Sequence, residues 1–314
     1  AAQAADVTPS DRYITRKVNS GAFTAIRTNT SLDIVYTVGP RDIEIYAPDN
    51  LMPYIQVSIK GSELIVSYKE NMNIRGSHKS HIKVSAPDVN KFTTASAGDI
   101  DIKSPIRLNN QTVEMRVLSA GDITAKAIEA SEIRLQTNSA GDIETGSLKA
   151  ENVFLMVNSA GDIETENVTA RNKASVSVNS AGDVDVPEIV AGGMVSLSTN
   201  SAGDIKITTV SAPSASISTN SSGDIRVSEL KADDVSASSG SSGNINLTGV
   251  CSSANLSARS VGDVNASVSS SGNVTCYAVN SLVARRSSVG EIRYAGNPST
   301  VKIESNRKDG VRPL

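Results

Sequence analysis

Apolar and polar residues alternate around a recurring five-residue pattern, Ser-[Ala/Ser/Val]-Gly-[Asp/Asn/Glu]-[Ile/Val]. Its last position is always Ile or Val, from Ile100, Ile123 and Ile143 through to Ile292. Two residues further on stands a second, mostly apolar set: Ile102, Ala125, Thr145, Thr165, Val186, Ile207, Val227, Leu247, Ala266, Cys276 and Tyr294. Between the two lie polar residues, among them Asp101, Glu144, Glu164, Asp185, Lys206 and Arg226. Six residues before the glycine runs another apolar set, from Phe92, Met115 and Leu135 to Ala237 and Leu256. A period of two with one apolar side predicts strands with one face buried, and the β-branched residues favour that state.

The pattern recurs with glycine at 98, 121, 141, 161, 182, 203, 223, 243, 262, 272 and 290, mostly 18 to 23 residues apart. Identity at such a period is not needed in a sandwich, where neighbouring strands differ. In a stack of coils, equivalent residues sit above one another at about 4.8 Å, so each position becomes a column with one chemical requirement. The period-two alternation excludes helical repeats. The chain therefore predicts an all-β fold, a parallel β-helix (β-solenoid) of about ten coils, each of roughly 20 residues. Glycine reads as a corner needing positive φ, and the following Asp as an acceptor for nearby turn N–H groups. Asn138, Asn158, Asn179, Asn200 and Asn220 fall three before glycine in five consecutive coils and predict a ladder of stacked amides. The step from Gly262 to Gly272 is too short for a coil, whereas Gly262 to Gly290 makes one coil with about eight residues to spare, so the stack should be disturbed near 262–280.

Residues 1–18 read as a polar lead-in, 19–90 as a β-rich N-terminal cap or irregular first coils, 91–305 as the repeat solenoid and 306–314 as a tail. Within 19–90, strands are expected at Phe23–Thr28, Leu32–Val38, Ile43–Ala47, Ile55–Ile59, Leu64–Tyr68 and His81–Ser85, separated by Gly39-Pro40, Pro48-Asp49-Asn50, Gly61-Ser62 and Pro87-Asp88. A solenoid end exposes unpaired strand edges, so a cap is required there.

Composition narrows the function. Aromatic residues are 3% with no Trp, which suits a thin interior built of Ile, Val and Leu. A net charge of -3, no basic run and few rings for base stacking argue against nucleic acid. No apolar stretch is long enough for a membrane span, and the start, Ala1 to Asp6, lacks the apolar core of a secretion signal or a lipidation cysteine. Two cysteines, Cys251 and Cys276, make neither a disulfide framework nor a metal site; a bridge between them is an open alternative to a buried thiol. His78 and His81, the only histidines, read as surface loop residues rather than a metal pair. Nearly every Asp sits in the repeat register, where architecture accounts for it. The off-register cluster Tyr277, Tyr294, Arg285 and Arg286 is modest, so no catalytic residue, cofactor or metal is assigned and no binding residue is singled out.

The repeats, preceded by Phe23-Thr-Ala-Ile26, Leu32-Asp-Ile-Val35 and Gly61-Ser-Glu-Leu-Ile-Val66, resemble the head GIN domain family, also called the putative auto-transporter adhesin family, of Bacteroides-type bacteria. The resemblance spans residues 19–305. It implies a β-helical protein exported to the cell surface, outer membrane or periplasm, and brings no catalytic residues. The expectation is a non-enzymatic adhesin-like protein that recognises a glycan or surface protein through its polar solenoid face, with a homo-oligomer as an open arrangement. A polysaccharide-active β-helix enzyme and a self-associating structural spacer are the alternatives.

Overall fold

The computed structural model describes residues 3–258, 264–267, 278–286, 292–294, 300–303 and 311–313. Among them the chain is all-β, with a single turn of 3-10 helix at Met52–Tyr54. Each repeat supplies a short strand just after its Gly-Asp step, such as Ile123–Thr124 or Ile143–Glu144, and a long one, such as Ile128–Thr137 or Leu148–Val157. Each pairs in parallel with its equivalent one repeat later. Further along, the two merge into continuous strands, Ile205–Thr219 and Ile225–Ser239. The result is a β-solenoid of about eight turns, against the ten that motif counting suggests. The motifs at Gly98 to Gly243 lie among the described residues, and those at Gly262, Gly272 and Gly290 do not. The stack nevertheless continues, since Val264 is in register with Ile292 and Ile292 with Val311. From Val264 to Ile292 the rod thus advances by one turn, as the motif spacing predicts; residues 268–277 lie outside the described residues.

Register turns the sequence columns into a layered core. Ile34, Ile100, Ile123, Ile143, Ile163, Val184, Ile205, Ile225 and Ile245 stack in one line. Leu64, Ile26, Phe92, Met115, Leu135, Leu155, Val176 and Leu197 stack in another. All are buried, and each large side chain so buried contributes about 1.5–3 kcal/mol. Thr145 and Thr165 interrupt the apolar lining. Their hydroxyls donate to the carbonyls of Gly146 and Glu166 at 2.9 and 2.8 Å, so neither is buried unpaired.

The repeat glycine does not serve the role its sequence context suggests. Among the described residues positive φ occurs at Gly61 and Gly76, outside the repeat. The corner instead requires the absence of a side chain. A Cβ on Gly121, Gly161 or Gly182 would lie 2.1, 2.0 or 2.0 Å from the carbonyl oxygen of the glycine one turn earlier. Each glycine N–H donates to the carbonyl of the serine two before that earlier glycine, as Gly161 does to Ser139 at 2.7 Å. Turns meet backbone to backbone here, and any Cβ would hold them apart.

The N-terminal region inverts the order of the stack. Its strands are β1 (Ala5–Val7), β2 (Tyr13–Lys17), β3 (Ala25–Thr28), β4 (Asp33–Val38), β5 (Asp42–Pro48), β6 (Ile55–Lys60), β7 (Glu63–Tyr68), β8 (Met72–Ile74), β9 (His81–Ala86) and β10 (Lys91–Thr94). Strand β3 lies between β7 and β10, and β4 between β9 and the strand Ile100–Ile102. The later strands β7 and β9 therefore cover the earlier ones. Three antiparallel strands finish the end: β6 on β7 through the Gly61-Ser62 turn, β5 on β9, and β2 on β5. The lead-in thus holds two strands, β1 and β2, which its polarity hides. Strand β1 pairs with β8 in a two-stranded ribbon apart from the main sheet.

Candidate binding surfaces

The repeat Asp side chains form a line of bonds between turns rather than within them. Oδ1 of Asp33 accepts the N–H of Asp99 at 2.8 Å, Asp99 that of Asp122 at 2.8 Å, Asp122 that of Asp142 at 2.8 Å and Asp142 that of Asp162 at 2.7 Å. The line continues through Asp162, Asp183, Asp204 and Asp224 to the N–H of Asn244. The expected local turn bond is therefore replaced by one reaching the next coil. Asp33 is the first rung, although its own segment, Ser31-Leu32-Asp33-Ile34, lacks the motif glycine. Asp99 has its pKa raised, first by burial and then by repulsion from Asp33, Asp122 and Asp101, with the bond from the Asp122 N–H acting the other way.

On the opposite flank of the corner the predicted amide ladder is present. Asn158 donates to Asn138 at 2.8 Å, Asn179 to Asn158 at 2.8 Å, Asn200 to Asn179 at 2.6 Å and Asn220 to Asn200 at 2.6 Å. Beside the Asp line, outward residues form a column whose sign changes along the rod: Glu144, Glu164 and Asp185, then Lys206 and Arg226. The outer face of the long strands bears two rows of serine, Ser175, Ser196, Ser216 and Ser236 beside Ser177, Ser198, Ser218 and Ser238. Hydrogen-bonded turns hold these groups at a fixed spacing, which makes a stiff and regular polar surface.

Where the cap meets the first rungs, a cavity of about 460 Å³ is lined by Asp33, Asp99, Asp101, His78, Ser80 and His81 among others. Nδ1 of His78 lies 2.7 Å from Oγ of the buried Ser80. Burial lowers the His78 pKa, against a smaller opposite pull from Asp33. The His81 ring lies 5.2 Å from Tyr46, which stacks on Tyr13 at 4.9 Å. Among the described residues no three His, Cys, Asp or Glu side chains are grouped to hold a metal ion. A second and larger cleft, about 790 Å³, lies over Tyr68 between the ribbon and the first corner. Nothing in the repeat pattern points to it.

Cys251 is buried, and Cys276 lies outside the described residues together with the question of their pairing. Of the cluster Tyr277, Tyr294, Arg285 and Arg286, Tyr277 lies outside them too. No helix among the described residues is long and apolar enough to cross a membrane.

A β-solenoid with a covered N-terminal end and polar ladders along its length agrees with the family comparison. The model of the family described as "Putative auto-transporter adhesin, head GIN domain" matches residues 22–189 and again 187–298. The chain belongs to this family. No curated protein matches it. Similar solved structures include a putative adhesin from Bacteroides fragilis NCTC 9343, at 21% identity, 98% of this chain, 100% of that chain and a TM-score of 0.37. Another, a putative adhesin from Parabacteroides merdae ATCC 43184, shows 17% identity over 98% of this chain and 99% of that one, at a TM-score of 0.42. A third, named a putative lipid binding protein, from Parabacteroides distasonis ATCC 8503, shows 15% identity over 99% of this chain and 100% of that one, at 0.39.

Proposed function

We propose that the protein is a non-enzymatic, adhesin-like binding protein exposed outside the cytoplasm, at the cell surface, outer membrane or periplasm, which recognises a glycan or protein ligand through polar groups held on the solenoid. The observation that carries this reading is the state of the repeat carboxylates. Acid–base hydrolysis of a glycosidic bond takes a pair of carboxyl groups facing one substrate across about 5–9.5 Å. Here Asp33 to Asp224 are strung along the rod, each with an oxygen committed to the next turn's N–H. Polar groups locked in place before the ligand arrives lose little freedom on binding, which suits recognition. Family membership supports the adhesin-like role and an extracytoplasmic location.

The test is a glycan and surface-protein binding array, with the supernatant assayed for released sugar. Saturable retention without release is expected. Release of oligosaccharide would replace the reading with a polysaccharide-active enzyme. Self-association with no ligand retained would replace it with a spacer.

A further inference from the structure

The cleft over Tyr68 is lined by polar groups that the fold leaves unused. Asn29 belongs to the same corner column as Asn138 to Asn220: Thr28, Thr94, Val117 and Thr137 stack in register, and Asn29, Ala95, Leu118 and Asn138 follow them. Ala95 and Leu118 break the amide ladder, so Asn29 stands exposed with no side-chain hydrogen bond among the described residues. Asn71, on the rim, is exposed in the same way. Below them lies Tyr68, which lines the cleft with its ring; its hydroxyl is shut off from water beside Ser31, out of a ligand's reach.

The lining also indicates what enters. Tyr68, Met72 and Ile74 pack against the core and present an apolar side. Lys69 and Glu70 cancel in charge, so a phosphate or polyanion gains no net attraction. The remaining contacts are amides and hydroxyls, which both donate and accept. About 790 Å³ falls in the range of small-ligand sites. One wall is the β1–β8 ribbon, separate from the main sheet.

We infer that this cleft binds a neutral, hydroxyl-rich ligand, one or two units of an uncharged glycan, with its apolar ring face on Tyr68, Met72 and Ile74 and its hydroxyls on Asn29 and Asn71. The inference rests on the binding-protein reading and gives it a location and a ligand class.

The experiment is calorimetric titration of the whole chain with a panel of neutral oligosaccharides, dextran sulfate serving as the polyanionic probe. Asn71→Ala, at an exposed rim position, should fold as stably as wild type yet weaken binding about tenfold. Asn29→Ala, at an exposed position, should do the same. Glu164→Gln, on the remote charged column, should leave binding unchanged. Neutral oligosaccharides bound equally by wild type, Asn71→Ala and Asn29→Ala would overturn the cleft while leaving the binding-protein reading in place. Preference for dextran sulfate would overturn the ligand class. Binding of nothing, in this panel and in the array alike, would remove the reading on which both depend.

Discussion

A Cβ placed on Gly141 would lie 2.0 Å from the carbonyl oxygen of Gly121, its equivalent one turn earlier. The obstacle is backbone, which cannot swing aside. Gly141→Ala should therefore destabilise the rod by about 3 kcal/mol or more, at the upper end of overpacking costs. Gly21→Ala, where nothing lies within 4 Å, should stay within about 0.5 kcal/mol of wild type. Urea unfolding followed by circular dichroism measures both, and equal effects would count against the close-approach account.

Asp162 separates acceptor from charge. Its oxygen holds the Asp183 N–H at 2.8 Å, while neighbouring carboxylates one turn away repel it by about 0.9 kcal/mol each at water's dielectric. Asp162→Asn keeps an oxygen in place and relieves the repulsion, so stability should hold or rise slightly. Asp162→Ala removes the acceptor and should cost about 1 kcal/mol. Asn244 already occupies one rung of the line, its N–H donating to Asp224.

Asn179 donates to Asn158 and accepts from Asn200 and Ser177. Asn179→Ala breaks all three bonds and should cost about 1–2 kcal/mol. The same change at Asn29, outside the ladder, should leave the melting temperature close to wild type, and the pair of melts compares the two positions directly.

Acid should act on the cap through His78. Its pKa is lowered in the fold, chiefly by burial. As pH drops below the ordinary value of 6.5, the unfolded chain takes up a proton that the folded chain resists. The stability this histidine provides is present above that value and is lost as pH falls through its folded pKa. Asp99 works in the opposite sense: its raised pKa lets the folded chain take a proton first, so stability withheld at neutral pH returns as pH falls toward 3.8. His78→Gln should flatten the decline in thermal stability as pH falls below 6.5. Asp99→Asn should remove the compensating gain at lower pH.

The columns of Ile, Leu and Asn are legible in the sequence because stacking imposes the same demand on every turn, and five amides in one register have one efficient arrangement. The glycine and aspartate are legible as conserved geometry within the chain, but their partners are not. A glycine records that a side chain is forbidden without saying whether φ or a neighbour forbids it, and Asp142 gives no sign that its bond reaches Asp162 rather than its own turn. The inverted order of β7 and β9 relative to β3 and β4 is hidden for a similar reason: alternation tells which face of a strand is inside, and nothing about which strand it meets. The Tyr68 cleft lies where the pattern stops at Ala95 and Leu118, so a search for repeats passes over it.

That inverted order gives the molecule a direction of growth. During synthesis from the N-terminus, β3 and β4 emerge ahead of the strands that flank them, with both edges open, and one edge is closed only by chain that arrives up to Ala86. Until then neither side of the nascent turn is distinguished from the other, and a foreign strand could join either. Once β7 and β9 fold back, one edge remains, and every later repeat must add to it. The cap therefore acts as a ratchet as well as a lid: it makes rod assembly one-way, starting from a site that the chain must pass and then return to.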